Sequence, residues 1–319
     1  MSMKKNKYLI LSTFLIAGIC SRVSAQSEPA YEQYHFNQLI LNPAYAGSKN
    51  SFETNFFLHR QDIKIPGAPS TESVTFHAPL ASQKLGLGLK FYHDHIGVTD
   101  KYLFGFDFAY QMYLGEGVLS AGLELSLSNY SVNFSKLDAF QNGDPTFTNE
   151  PINIITPNAG LGVYYRNDNF YMGFASLNIV EDQNDTTQEL TSLQSYEQTR
   201  HYNFHTGGLI AAGNHLTLKP GALLKYTYGG PAQIDLNLHF IIDNSFWIGL
   251  GYKTNKSMSV MAEYVLDYNK TLSGNEFSFG YAYNFLLDDL APYLGPTHEI
   301  FLGYRFNKHN TRVRSPRFF

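Results

Sequence analysis

Cysteine is nearly absent. The chain of 319 residues has one, Cys20, and it falls in an N-terminal segment read below as removed. The mature protein is therefore expected to carry no disulfide and no thiolate chemistry. Charge is also scarce: Asp, Glu, Lys and Arg make up 16% of the chain and the formal net charge is −4. Nothing in that balance supplies the basic face a nucleic-acid binder needs, so nucleic acid is excluded as a partner. After residue 25 no run reaches 18 consecutive apolar residues, so no later segment reads as a membrane helix. What the chain does have is Tyr and Phe, 23 and 25 of them, within an aromatic content of 15%.

The first residues read as a secretory signal. Lys4, Lys5 and Lys7 form a basic start, residues 8–20 are nearly all apolar, and Val23-Ser24-Ala25 is a small-residue cleavage site. The apolar run is too short for a membrane anchor, which needs about 20 residues. Ile19 precedes Cys20 where a lipoprotein signal wants a small residue. Cleavage after Ala25 is the expectation. An exported, aromatic-rich chain with few charges is either a soluble β-rich domain or an outer-membrane β-barrel.

Period-two alternation runs along the chain. Phe277, Phe279, Tyr281, Tyr283 and Phe285 share one face, with Ser278, Gly280, Ala282 and Asn284 on the other. Tyr102, Phe104, Phe106, Phe108, Tyr110 and Met112 do the same, as do His298, Ile300, Leu302, Tyr304 and Phe306. Such alternation marks strands with one apolar face. The opposite face carries Lys90, Asp107, Glu124, Arg166, Lys225, Asp235, Lys253, Glu263 and Arg305, together with many glycines. A sandwich also has a polar face. Long regular strands without intervening helices favour a closed barrel. The count is about 14, an even number as single-chain bacterial barrels require. Short connections (114–116, 166–169, 212–215, 243–245) fall on one side and long ones (60–69, 132–156, 181–200, 287–297) on the other, the pattern of a barrel with both termini in the periplasm.

The lumen of such a barrel is wider than eight strands would need, so it leaks unless something fills it. The mixed signs of the inward charges argue against a strongly selective ion pore. Residues 26–50 lack alternation and are the candidate plug or periplasmic dock. Within them Asn42, Pro43, Ala44, Tyr45, Ala46 and Gly47 form a dense turn. Pro43 fixes its own φ and pushes Asn42 toward an extended conformation, and Gly47 permits a positive φ before the first strand. The turn either positions that strand or offers a surface to a periplasmic partner. The tail 308–319 is basic. Arg312, Arg314 and Arg317, with the terminal Phe318 and Phe319, are the candidate docking residues there.

No catalytic, cofactor or metal site stands out. His93 and His95 share a strand face but Asp94 does not, and no third ligand is visible. In the stretch HEIF (298–301) the fourth residue after the histidine is Leu302, so it is not a helical zinc motif. It reads as a strand start with Glu299 inward. The acidic stretch 182–190 reads as a solvated outer loop. A lipase or protease would need a nucleophile and base in reach, and no such set is visible.

The stretch YEQYHFNQLILNPAYAGS (31–48) resembles the N-terminal signature of the PorP/SprF family of the type IX secretion system. FSFGYAYNF (277–285), THEIFLGYRF (297–306) and SFWIGLGYKTN (245–255) are similar to its later strands. One departure is Pro296-Thr297, where the family often has a glycine-serine pair before the His-Glu element. The resemblance implies an outer-membrane barrel of Bacteroidota that acts with periplasmic ring and motor parts of the secretion machine, or with one secreted cargo such as an adhesin for gliding. The full expectation is an all-β transmembrane antiparallel barrel, non-enzymatic, lipid-embedded, and free of cofactor and metal. Its parts are a signal peptide (1–25), an N-terminal turn or plug (26–50), the barrel (51–307) and the tail (308–319). The competing expectation is a passive porin or small-solute channel.

Overall fold

The computed structural model describes residues 31–49, 51–80, 84–136, 151–180, 198–228, 230–267 and 275–306. Fifteen antiparallel strands follow in order: β1 (Phe52–Arg60), β2 (Ser70–Pro79), β3 (Leu85–Ile96), β4 (Thr99–Leu114), β5 (Gly117–Val132), β6 (Ile152–Arg166), β7 (Phe170–Leu177), β8 (His201–Gly208), β9 (Ile210–Ala211), β10 (Leu216–Thr227), β11 (Gln233–Ile242), β12 (Phe246–Lys253), β13 (Ser257–Asp267), β14 (Glu276–Leu286) and β15 (Thr297–Phe306). β8 and β9 are one strand interrupted at Leu209, since both pair with β10. Each strand pairs with its neighbours in sequence, and β15 returns to β1 from Phe306↔Phe52 to His298↔Arg60. The result is a closed barrel of 14 strands. Closure removes every sheet edge, which lets strands cross a bilayer with their backbone groups paired.

The alternation sets which side faces out. Along β4, Phe104, Phe106 and Phe108 are exposed on the outer wall, while Lys101, Leu103, Asp107, Ala109 and Gln111 are buried inside. The same holds at the seam, where Ile300, Leu302 and Tyr304 point out and Glu299 and Phe301 point in. The inward Phe57 and Phe301 rings meet at 4.9 Å. All the charged residues assigned above to the polar face lie on the inner wall.

Turn chemistry fits the short side. Asp243 and Asn244 join β11 to β12 with φ of 49° and 58°, and Gly115 joins β4 to β5 with φ of 61°. Such primed turns match the strand twist. Residue 51 enters β1, and β15 ends, on this same side. The opposite side is less uniform than the loop lengths suggest, since residues 97–98 and 254–256 make tight turns there too. Two of its longer loops are joined: the amides of Ile63 and Lys64 donate to the carbonyls of Pro296 and Leu294 at 3.3 and 3.2 Å. Among the described residues the one α-helix is a single turn, Ala291–Leu294, in that pair of loops.

Candidate functional site

Residues 31–49 lie inside the barrel. They fold into three short 3-10 turns, Tyr34–Phe36, Gln38–Ile40 and Pro43–Tyr45. Asn42 is extended (φ −155°, ψ 115°) before Pro43, and its Oδ1 accepts the amide of Ala44 at 2.9 Å. Gly47 has a φ of +70° as the chain turns toward β1. Both features follow from the proline and glycine placements read in the sequence.

Each of the three buried apolar clusters joins this segment to the wall. One groups Leu39, Ala44, Tyr45 and Ala46 with Ala109, Tyr164 and Tyr171. A second groups Tyr31, Tyr34 and Leu41 with Phe57, Leu223 and Phe301. The third packs Phe36 against Ile241, Trp247 and Val265. The hydrophobic core of this protein is therefore the contact between segment and wall. Each large side chain buried there is worth about 1.5–3 kcal/mol.

The wall is shaped for the segment at two glycines. A Cβ on Gly122 of β5 would collide with the Ala44 amide nitrogen and come within 2.5 Å of its Cα. A Cβ on Gly86 of β3 would collide with the Ala46 carbonyl oxygen and lie 2.5 Å from its carbon. Any side chain at these positions must displace the segment or the wall.

Polar contacts fix the register of segment against barrel. Glu299 of β15 accepts the amides of Glu32 and Gln33, both at 2.8 Å, and Nε2 of Gln33 at 3.2 Å. Nδ1 of His59 lies 2.9 Å from the same carboxylate. Glu32 pairs with Lys253 and accepts Nδ2 of Asn284 at 2.9 Å. Further along, Nδ2 of Asn203 donates to the Leu41 carbonyl at 3.1 Å, and Nδ2 of Asn42 to that of Val163 at 2.9 Å. Charged hydrogen bonds in a dry site are worth about 1.5–3 kcal/mol each. Glu299→Ala is expected to cost at least about 3 kcal/mol of seating energy, because several buried donors lose one acceptor. Thermolysin should then cut within residues 31–49 of a barrel that is still folded, and should leave the wild type intact there.

The inward charges are mostly balanced locally. Nζ of Lys90 lies 2.5 Å from Glu124 and 3.4 Å from Asp107, and donates to the Leu39 carbonyl at 3.4 Å. Arg305 bonds Glu53 at 3.0 Å and Glu276 at 3.2 Å. Lys49 sits between the last turn and β1, outside every strand. Burial, and then repulsion from Arg305, lower its ammonium to about 8 against the pull of Glu53.

The turn read as a docking surface, Asn42 to Gly47, is buried throughout, with Asn42, Ala44, Tyr45 and Ala46 at 0% exposure. It packs on the inner wall toward the short-turn end, where Gly86 and Gly122 admit its backbone. A partner would meet it only after it left the lumen. Arg312, Arg314, Arg317, Phe318 and Phe319 lie outside the described residues, as do residues 182–190. His93 and His95 both reach Asp100, each at 2.9 Å, while Asp94 points elsewhere and accepts from Thr71 at 2.6 Å. Glu299 is inward, as its place in the strand requires.

Sequence reading missed one cluster. His35 of the segment, His239 of β11 and Glu263 of β13 come together in the lumen, all buried, with one ligand atom from each within 4.8 Å of the others. His239 and Glu263 meet within the wall, and the seating of residues 31–49 brings His35 to them. Glu263 was visible merely as one inward charge among several.

No curated protein matches the chain significantly. Among solved structures, the CymD monoaromatic hydrocarbon channel aligns over 90% of this chain and 95% of its own, with 9% identity and a TM-score of 0.52. A Pseudomonas aeruginosa FadL homologue aligns over 88% and 95%, with 10% identity and a TM-score of 0.48. The Pseudomonas putida toluene transporter TodX aligns over 89% and 95%, with 8% identity and a TM-score of 0.45. At such identities the likeness is one of fold, that of an outer-membrane barrel. The family described as type IX secretion system membrane protein PorP/SprF matches residues 23–304, almost the whole span of the barrel together with its lumen segment, and the chain belongs to that family.

Proposed function

We propose that this protein is a non-enzymatic outer-membrane component of the type IX secretion system that supports export or surface attachment of secreted cargo such as an adhesin. Its signal peptide is removed after Ala25 and both termini face the periplasm. The observation that carries the reading is the packing of residues 31–49 on the inner wall, through apolar clusters and buried hydrogen bonds, which supports a plugged rather than an open lumen. A permanently open, passive pore would not be filled in this way. Its useful surfaces are then its two ends.

At the long-loop end, the joined loops 61–69 and 287–296 expose Ile63, Ile65, Leu290 and Tyr293. Exposed apolar side chains on a loop tip suit contact with another protein. This end faces cargo. At the other end the basic tail, through Arg312, Arg314, Arg317, Phe318 and Phe319, docks periplasmic ring or motor-associated proteins of the secretion machine. The buried turn 42–47 takes part only if the segment is drawn out.

Affinity purification from cells tests this. Secretion-machine proteins should co-purify with the full chain, and the chain lacking residues 308–319 should fold as well but recover at least about fivefold less, the loss of roughly 1 kcal/mol of binding. Equal recovery removes the tail from the account. The second reading, a small-solute channel, takes its support from the fold shared with the CymD channel. A steady conductance of the intact protein in a planar bilayer would favour it.

A further inference from the structure

We infer that His35, His239 and Glu263 form a binding site for a divalent transition-metal ion, Zn²⁺ foremost, which fastens the lumen segment to the barrel wall. The inference rests on the seating of residues 31–49 and is independent of which cargo is served.

The ligand spacing fits. Nε2 of His35 lies 3.1 Å from Oε1 of Glu263, and Nε2 of His239 lies 3.8 Å from the same oxygen. Ligands at about 2.0–2.1 Å from a tetrahedral zinc stand about 3.3 Å apart. The two rings approach with centroids 3.9 Å apart. Two imidazoles and one carboxylate are a donor set that zinc and its first-row neighbours accept, with a position left for water. A cavity of about 10 Å³ adjoins His35, one of the three ligands; Lys49, Lys219, Glu276 and Arg305 also line it. Its volume is about the room one water needs.

The hydrogen bonding points the same way. Both oxygens of Glu263, both ring nitrogens of His35 and Nε2 of His239 are buried and make no hydrogen bond among the described residues. Buried polar atoms left in this state cost free energy, and a carboxylate costs most. Lys219 shares the neighbourhood, its Nζ 5.1 Å from the Trp247 ring centre, but it gives neither Glu263 oxygen a hydrogen bond. A cation between the three groups would give one atom of each of the three side chains a partner. The other side of the His239 ring is held by the backbone of Lys219, its partner in the β10–β11 ladder. Such a second contact orients a metal-binding imidazole.

One ligand comes from the segment and two from the wall, so metal binding and seating are linked. Whatever binds only the seated state stabilises it by mass action.

The test uses the full mature chain without a histidine tag, purified in detergent and stripped with chelator. Titration with ZnCl₂ followed by calorimetry should give one ion per barrel. His239→Ala and Glu263→Gln should each weaken binding more than about 100-fold, beyond the effect of losing an outer-sphere partner. His93→Ala/His95→Ala, which removes the outer His pair, should leave it unchanged. Retained heat-modifiable migration on gels verifies that each variant is folded. Co²⁺ added to the wild type should give the visible bands of a four- or five-coordinate site, so the wild type alone can decide if a variant does not fold. The inference is overturned by less than one ion per wild-type barrel, by six-coordinate cobalt bands, by folded His239→Ala and Glu263→Gln variants that bind as the wild type does, or by binding that disappears with His93 and His95. A buried His–Glu ion pair without metal gives the first of these.

Discussion

Deleting residues 31–49 is expected to turn a closed barrel into a conducting pore. The wall is continuous without them, since β1 begins at Phe52 and closes on β15. A ring of 14 strands encloses more space than its own inward side chains fill. Among the described residues, Leu39, Ala44, Tyr45, Ala46 and the other buried residues of the segment occupy part of that space. In planar bilayers the wild type should sit closed with rare openings. The deleted form should conduct steadily, with a mean conductance at least about tenfold higher, as an unplugged barrel of this size does. Because deletion also removes most of the core, a second variant keeps the full chain. Gly122→Leu places a side chain where the Ala44 amide stands, so it should unseat the segment and open the barrel to a similar level. Closed behaviour in both folded variants would mean that the segment is not the seal.

Lys90→Met should be the most destabilising single substitution among the inward charges. It leaves Glu124 and Asp107 buried without their shared cation, at 4% and 0% exposure. Breaking a buried ion pair from one side costs about 3–5 kcal/mol. For a chain of this size that lowers the unfolding temperature on the order of 10 °C. Heat-modifiable migration across a temperature series measures it. The triple variant with Glu124→Leu and Asp107→Asn should recover most of the loss, because no unpaired charge then remains. If Lys90→Met alone is neutral, water reaches these carboxylates and the lumen is wetter than this account requires.

The wall could be read from the sequence, and the contacts within the lumen could not. Alternation is local: Phe104, Phe106 and Phe108 declare their face whatever they pack against, and lipid asks only that they be apolar. Glycines on the inner face were legible as small, but not as a bed for Ala44 and Ala46, because that contact joins residues far apart in the chain. The turn at Asn42 and Pro43 was legible as a turn. Its burial was not, since a 3-10 turn looks alike at a rim and in a lumen. Glu299 could be placed inward, but its partners Glu32 and Gln33 lie 267 and 266 residues away. The His35, His239 and Glu263 group was hidden for the same reason. The family resemblance, carried by residues 31–48, 245–255, 277–285 and 297–306, reached the right family. It did not reveal how the first end sits within the barrel.

The measurement that bears most directly on the central claim compares the secreted and surface-attached proteins of cells with and without this gene, by mass spectrometry. Loss of one large surface protein, restored by the intact gene, is the result expected of a cargo-dedicated secretion component, and loss of many is that of a core part of the machine. Unchanged surface and secreted proteins together with slower uptake of a small solute would contradict the account and make the barrel a channel.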